Sequence, residues 1–181
     1  KRWFPFATGG GYRKWFGNLV DVVDWSPMAQ DHYRHSPAGR LIRKEFWYLR
    51  GITWSMITSS KASFRILPRE QTYQEVAILF APEKESLLLP LLGYLNCTVS
   101  EQLLQLLAPT LNFQLEDICR LPWYEIPDLH KANEIVQDLL TRSKIDWDCF
   151  ETSWEYRDQP LLGSRRNVAN IESGWQNWET Y

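Results

Sequence analysis

The segment 51–65 combines apolar side chains that can be buried with a dense set of hydroxyl and cationic side chains. Its polar members are Thr53, Ser55, Thr58, Ser59, Ser60, Lys61, Ser63 and Arg65. Hydroxyl groups and cations are the groups that proteins present to phosphate oxygens when they hold a nucleic-acid duplex in register. On these residues alone an ordinary polar hairpin is the favoured interpretation, and phosphate contact is the alternative.

The charge of the chain is distributed unevenly, although its total is only −2. Residues 1–65 carry 11 Lys and Arg against 4 Asp and Glu, whereas residues 66–181 carry 9 against 18. These net charges of +7 and −9 predict a basic face for a polyanion and an acidic opposite side. The alternative is that the charges of the two halves interleave in space and cancel.

The composition is that of a soluble globular protein, with 44% hydrophobic and 23% charged residues. Cys97, Cys119 and Cys149 are widely separated and form no CxxC pair, which supports neither a disulfide framework nor a zinc site. No run of residues approaches the roughly 20 apolar residues that a membrane span needs. We therefore expect a cytoplasmic protein without a membrane partner.

Candidate metal and nucleophile sites are weak in this sequence. His32 and His35 are three residues apart, but no Cys or third ligand accompanies them. The carboxylates of 146–151 could be metal ligands of a nuclease, yet the aromatic residues beside them favour the solvated side of a short amphipathic helix. Ser59 and Ser60 have no neighbouring His or acid that would activate them as nucleophiles.

The order of strand and helix patterns predicts an α+β fold. Strands are predicted on both sides of the turn 8–11 and near 52–56, 62–67 and 76–80, with a short one at 111–114. Helices are predicted at 40–48, at 85–95 with a kink or interruption at Pro90, and at 115–119. Two further helices are predicted, one from an N-cap at Thr98 with Glu101 in a capping box and one from an N-cap at Asp128 through Arg142. The face of the last helix predicted to be buried consists of Leu129, Ala132, Val136, Leu139 and Leu140. The segment 26–39, which contains two prolines, is predicted to be a loop.

Ordered motifs along nearly the whole chain resemble one family. They are Trp3-Phe-Pro-Phe, Gly10-Gly-Tyr-Arg-Lys-Trp-Phe-Gly-Asn18, Gly51-Ile-Thr-Trp-Ser, Ser59-Ser60, Phe64-Arg65, Leu92-Gly-Tyr-Leu-Asn96, Pro109-Thr-Leu-Asn-Phe-Gln114, Asp117-Ile118 and Leu121-Pro122. They resemble the target-recognition region of BREX-type adenine-specific DNA methyltransferases, the PglX group, which is similar to that of type IIG and type I restriction-modification enzymes. Residues 143–154 resemble the segment that follows this region, and residues 171–181 resemble the start of a helical spacer. Residues 26–41 carry no matching motif.

This resemblance implies a small twisted mixed or antiparallel sheet with packed helices in residues 1–125, followed by a helical extension in residues 126–181. The first part would select a short sequence in double-stranded DNA. A linked catalytic domain of the same chain would then use S-adenosylmethionine to methylate an adenine in a phage-defence system. Other proteins of that system are further expected partners.

The catalytic motifs of such an enzyme are missing here. The loop of Asn-Pro-Pro-Tyr type that holds a flipped adenine needs a Pro-Pro pair, and this sequence has none. The turn Gly9-Gly10-Gly11 opens no helix, so a flexible turn that presents its neighbours is favoured over a phosphate cradle for a cofactor. We therefore expect a fragment of a larger protein, with no cofactor of its own and with the catalytic domain before Lys1.

The candidates for DNA contact are cations, hydroxyl groups and one phenol. They are Tyr12, Arg13, Lys14, Arg34, Arg40, Arg43, Lys44, Thr58, Ser59, Ser60, Lys61 and Arg65. Most are expected to position the duplex through its phosphates, and only a few to reach base edges. Two alternatives stay open: an interaction module that docks other defence proteins through the Trp-rich acidic half, and a metal-dependent nuclease.

Overall fold

A computed structural model of the chain describes residues 2–37, 39, 41, 44–58, 61–69, 71–73, 78–80, 85–110, 112–159 and 170–179. The strands found in these ranges are β1 (Trp3–Ala7), β2 (Asp21–Asp24), β3 (Gly51–Trp54), β4 (Phe64–Leu67), β5 (Thr72–Tyr73) and β6 (Ile78–Phe80). The helices are α1 (Pro27–His35), α2 (Leu88–Leu95), α3 (Thr98–Leu107), α4 (Leu115–Cys119), α5 (Leu129–Asp148) and α6 (Ile171–Glu179). Short 3₁₀ turns occupy Lys44–Phe46 and Glu85–Leu87.

The strands form two small sheets. In the first, β1 lies between β2, which is antiparallel to it, and β5, which is parallel. In the second, β3 lies between β4 and β6, and both pairs are antiparallel. Small sheets accompanied by several helices confirm the predicted α+β class.

The main core surrounds the second sheet. Every residue of β3 and β4 is buried, so these strands are covered on both faces, although apolar and polar residues alternate in 52–54 and 64–66. Trp54 and Phe64 pack together with ring centroids 5.9 Å apart, and the Trp54 indole donates to the Phe113 carbonyl at 2.8 Å. Leucines of α2 close the core from one side. The expectation that Trp54 and Phe64 belong to the core is confirmed.

The predicted loop at 26–39 is wrong, because most of it forms α1. The Ser26 hydroxyl accepts from the Ala29 amide at 3.3 Å and caps the helix. Pro27 stands in the first turn, where its missing N–H would have no partner in a helix. The predicted helix at 40–48 is reduced to the 3₁₀ turn Lys44–Phe46 in the part that the structure describes.

Two details of the helix pair after β6 also differ from the prediction. Pro90 does not interrupt α2, since the helix begins at Leu88 and the proline falls in its first turn. Thr98 is the first residue of α3 rather than its N-cap, which is Cys97. The predicted capping box with Glu101 therefore does not form. The helix at α4 does have one, between Gln114 and Asp117.

The long helix α5 begins as predicted but extends further. The Asp128 side chain accepts from the Lys131 amide at 2.9 Å, and the helix ends at Asp148 rather than Arg142. Leu129 is exposed, which corrects its assignment to the buried face. Val136 and Leu140 lie in the main core, so α5 shares that core with residues before 126.

Glycine permits the close approach of α5 and α2. A Cβ atom at Gly93 would lie 2.8 Å from Cγ2 of Val136, closer than side-chain atoms tolerate.

No single helix among the described residues is long and apolar enough to span a membrane, although the bent pair Glu85–Leu95 and Thr98–Leu107 meets those two criteria together.

Candidate nucleic-acid interface

The structure separates the predicted contact residues into three groups. Arg40, Arg43, Ser59 and Ser60 lie outside the described residues. Arg13, Lys14 and Arg65 are turned into the protein by bonds described below. Tyr12, Arg34, Lys44 and Lys61 are exposed, and Thr58 is partly buried.

The segment 9–18, here called the glycine loop, is held in a fixed conformation. Gly9, Gly10 and Gly17 have φ values of +114°, +118° and +124°. Trp15 and Asn18 also have positive φ, at 72° and 58°, which non-glycine residues adopt only when their surroundings impose it. The Trp15 amide donates to the Phe64 carbonyl at 2.9 Å, and the Trp15 carbonyl accepts from Ile66 at 2.8 Å. The loop is therefore joined to β4 and is not the free turn expected from sequence.

Arg13 links the glycine loop to α5. Its Nε donates to the Phe16 carbonyl at 2.9 Å, and its Nη2 bonds the Asp146 carboxylate. The guanidinium also lies 5.0 Å from the ring centroid of Trp147. These contacts hold the guanidinium of Arg13 between the glycine loop and α5, so its side chain is a structural clamp in this conformation.

Lys14 is held by α3 and by Asn96, the residue that follows α2. Its ammonium donates to the Asn96 carbonyl at 2.9 Å and lies 3.8 Å from Glu101. The other oxygen of Glu101 binds Lys61 at 2.6 Å. The Glu101 carboxylate on α3 therefore links Lys14 of the glycine loop with Lys61 of the segment before β4. The hydrogen bond to Glu101 is the main reason that the pKa of Lys61 is raised.

Arg65 is 1% exposed and lies in the interior, which corrects its assignment to the DNA-contact surface. Its Nη1 donates to the Arg13 carbonyl at 3.2 Å, and its Nη2 donates to the Ser55 hydroxyl at 3.2 Å. Burial first, and then the charge of Arg13, lowers the pKa of Arg65 to about 10, so it stays protonated at neutral pH. Its Nε has no partner, and no carboxylate of the described residues lies within 4.0 Å of it.

The exposed candidates occupy separate places on the chain. Arg34 lies in the last turn of α1, and Lys44 begins a 3₁₀ turn with its ammonium 5.9 Å from the Trp47 ring centroid. Tyr12 and Lys61 belong to neighbouring segments, since Trp15 pairs with Arg65 in a parallel bridge and the Arg13 amide donates to the Ser63 hydroxyl at 3.2 Å. The structure therefore brings Tyr12, Lys61 and the partly covered Lys14 to one edge around Glu101.

The charges of the two halves of the chain are interleaved at the glycine loop and beyond it. Basic residues of the first half pair with acidic residues of the second half, as in Arg13 with Asp146, Lys14 and Lys61 with Glu101, and Arg50 with Glu85. For these residues the prediction of a separate basic face is wrong. The net charge of +7 counted for residues 1–65 therefore overstates the positive charge that these residues present at the surface.

Two of the three carboxylates considered as nuclease ligands already have partners. Asp146 binds Arg13, while Asp148 binds Lys144 at 2.5 Å and accepts from the Ser153 hydroxyl at 2.7 Å. No group of three or more His, Cys, Asp or Glu in the described ranges could hold a metal ion.

Sequence reasoning missed the partners that lie far along the chain. Ser143 donates to the carbonyls of Lys14 and Phe16 at 3.1 and 3.2 Å. The Asn96 amide bonds both the amide and the carbonyl of Phe64. Each of these residues is an ordinary polar residue in its own segment, so no local pattern marks it.

Comparisons with known proteins place this chain beside adenine-specific methyltransferases. No protein-family model matches it. It is 29% identical over 193 residues to adenine-specific methyltransferase PglX of Lacticaseibacillus casei (strain Zhang), covering 99% of the chain and 16% of that protein. It is 27% identical over 180 residues to adenine-specific methyltransferase BrxX of Escherichia coli O9:H4 (strain HS), covering 98% of the chain and 14% of that protein. The chain is homologous to a stretch of these methyltransferases that is at most 16% of their length.

Proposed function

We propose that this chain selects the target sequence in double-stranded DNA for an S-adenosylmethionine-dependent, adenine-specific methyltransferase of a phage-defence system of the BREX type. The observation that carries the proposal is the alignment of nearly the whole chain with a short stretch of two adenine-specific methyltransferases. The aligned stretch has no Pro-Pro pair for a loop that holds a flipped adenine. A segment of the enzyme that lacks the catalytic loop has the property expected of the segment that selects the DNA sequence to be methylated.

The fold supports the same proposal through its rigidity. Sequence recognition requires donors and cations that are held in register against the phosphates and base edges of a duplex. The glycine loop is fixed to β4 by Trp15 and to α5 by Arg13. Exposed Tyr12 and Lys61 therefore extend from a firmly positioned support. Arg34 and Lys44 supply further exposed positive charge.

An interaction module is the second candidate, and one observation favours it. A largely apolar cleft of about 500 Å³ is lined by Trp3, Pro5, Val22 and Trp154. Trp3 and Trp154 are both more than half exposed. Exposed paired tryptophans are typical of protein-binding surfaces. As an interaction module, the chain would bind another protein of the same defence system in this cleft.

The most direct test of target selection is an exchange of recognition stretches. The aligned stretch of the Lacticaseibacillus casei relative is replaced by this chain, and methylated adenines are mapped across a bacterial genome. We expect the chimera to methylate a motif different from that of the parent enzyme. The control carries the parent's own stretch reinserted with the same junctions.

Two results would contradict the proposal. If the active chimera methylates the parent's motif, sequence choice resides outside this stretch. If the chimera binds duplex DNA in the same way as the parent enzyme, and the isolated chain binds other defence proteins in solution, the interaction module is the better explanation.

A further inference from the structure

Two successive peptide groups of the glycine loop have their carbonyls bonded to the protein. The Gly10 carbonyl accepts from the Ser55 hydroxyl at 2.6 Å, and the Gly11 carbonyl accepts from the Asn18 side chain at 2.8 Å. A trans peptide is planar, so its N–H points opposite to its C=O. The N–H of Gly11 therefore points away from Ser55, and the N–H of Tyr12 points away from Asn18.

Both amide groups are available to a ligand. Gly11 and Tyr12 are exposed, and neither amide donates to another residue in the part of the chain that the structure describes. No heavy atom lies within 4 Å of the position that a Cβ atom of Gly11 would occupy. Successive backbone N–H groups without an internal partner are donors that an anion can accept from.

A buried cation lies directly behind this turn. Arg65 donates through Nη2 to Ser55, and Ser55 donates in turn to the Gly10 carbonyl. A chain of hydrogen bonds polarises its members in the same direction, which makes the Gly11 N–H a stronger donor. Since no described carboxylate neutralises Arg65, its charge also adds a positive potential at the turn.

We propose that the amides of Gly11 and Tyr12, together with the ammonium of Lys61, bind a phosphodiester group of duplex DNA, with Arg65 as the fixed charge behind them. The site rests on the proposed function, because it takes the DNA backbone as its ligand. Lys61 has three donors, so it can keep Glu101 while it meets a phosphate oxygen. The contact positions the duplex and carries no sequence information by itself.

The test uses the 181-residue chain, a duplex of scrambled sequence and inorganic phosphate as separate probes. In the wild type, both probes should shift the amide NMR resonances of Gly11 and Tyr12. The variant Gly11→Val fills the open space over the amides and does not strain the backbone, since Gly11 is not among the positive-φ glycines. We expect it to keep its melting temperature and to bind the duplex about tenfold more weakly, the loss of one charge-assisted contact.

The possible outcomes separate this site from the proposed function. If the wild type binds duplex without a shift at Gly11 and Tyr12, and Gly11→Val binds equally well, the phosphate site is wrong while duplex binding stands. If inorganic phosphate shifts these amides but no duplex binds, the site takes another anion, and both the DNA ligand and the proposed function are overturned. Ser55→Ala gives a second check: it removes the link to Arg65 and should weaken phosphate binding at Gly11 with Lys61 unchanged.

Discussion

Two basic segments meet at Glu101, and they use their charge in opposite ways. In the glycine loop, Arg13 and Lys14 point into the protein and bond carbonyls, a carboxylate and an aromatic ring. Next to it Lys61 remains more than half exposed, although it binds Glu101 at 2.6 Å. The sequence describes both segments as basic, yet only the second offers its charge to a partner.

This difference shows that the accessible charge of a small domain depends on distant partners. The guanidinium of Arg13 is held inside the protein because it binds Asp146 on α5, 133 residues further along the chain. Lys61 keeps its exposure because Glu101 occupies only one side of its ammonium. Partly buried cations and exposed cations have different roles, and the following variants separate them.

Replacement of Arg13 should have the largest effect on stability. Arg13→Met removes the bonds to Phe16 and Asp146 and leaves the Phe16 carbonyl with the Ser143 hydroxyl as its donor. We expect a loss of roughly 3 kcal/mol in the free energy of unfolding, measured by urea denaturation. Arg142→Met is the matched control, because Arg142 also binds a carboxylate but on the surface of α5. Equal stability of the two variants would show that Arg13 is no clamp.

The conformation of the glycine loop is tested next by Gly17→Ala. Gly17 has a φ of +124°, and an added Cβ would lie 2.5 Å from Nε of Arg13 and 2.8 Å from the Trp147 ring. We expect a loss of roughly 2–3 kcal/mol by thermal unfolding, from backbone strain and displacement of Arg13. A melting temperature equal to that of the wild type would mean that the loop is free to adopt another conformation.

Attachment of α5 to the core gives a smaller effect. Val136→Ala removes two methyl groups that pack beside Gly93 and should cost roughly 2 kcal/mol. Leu129→Ala, at the exposed start of the same helix, should change stability little. The two variants are compared by chemical denaturation. Similar losses at both positions would contradict the buried face that the structure assigns to α5.

The smallest effect on folding, and a specific one on binding, is expected at Lys61. Lys61→Ala should leave the melting temperature nearly unchanged, because exposed ion pairs contribute little. It should weaken binding to all duplexes alike and reduce the salt slope by about one unit. Lys144→Ala is the matched control, since Lys144 is similarly exposed and also paired with a carboxylate, Asp148. An equal change in slope for both variants would indicate only a general effect of net charge.

Local patterns predicted the elements whose signals lie within a few residues. The buried strands β3 and β4 follow from their β-branched and aromatic residues, and the N-cap at Asp128 follows from the apolar period after it. The prediction of a loop at 26–39 is wrong because Pro27 does not break the helix: proline suits the first turn of a helix that Ser26 caps. The predicted capping box at Glu101 is wrong for a different reason. Its spacing from Thr98 fits a capping box, yet two lysines outside the helix bind its carboxylate.

The candidate interface was predictable in composition but not in orientation. The exposed Lys61 and the buried Arg65 are four residues apart, and both are polar residues in one hydroxyl-rich segment. Arg65 points inward because β4 is covered on both faces and the glycine loop supplies carbonyl acceptors there. Contacts of this kind join residues about 50 positions apart, and no spacing rule describes them.

Binding of the chain to duplex DNA across a salt series tests the central claim most directly. Fluorescence anisotropy with the 181-residue wild type and with Lys61→Ala gives affinity and salt slope together. We predict a steep fall in affinity with salt for the wild type, and a slope smaller by about one unit for the variant. No duplex binding at low salt, or binding whose affinity does not change with salt, would contradict the claim that this chain meets the DNA backbone.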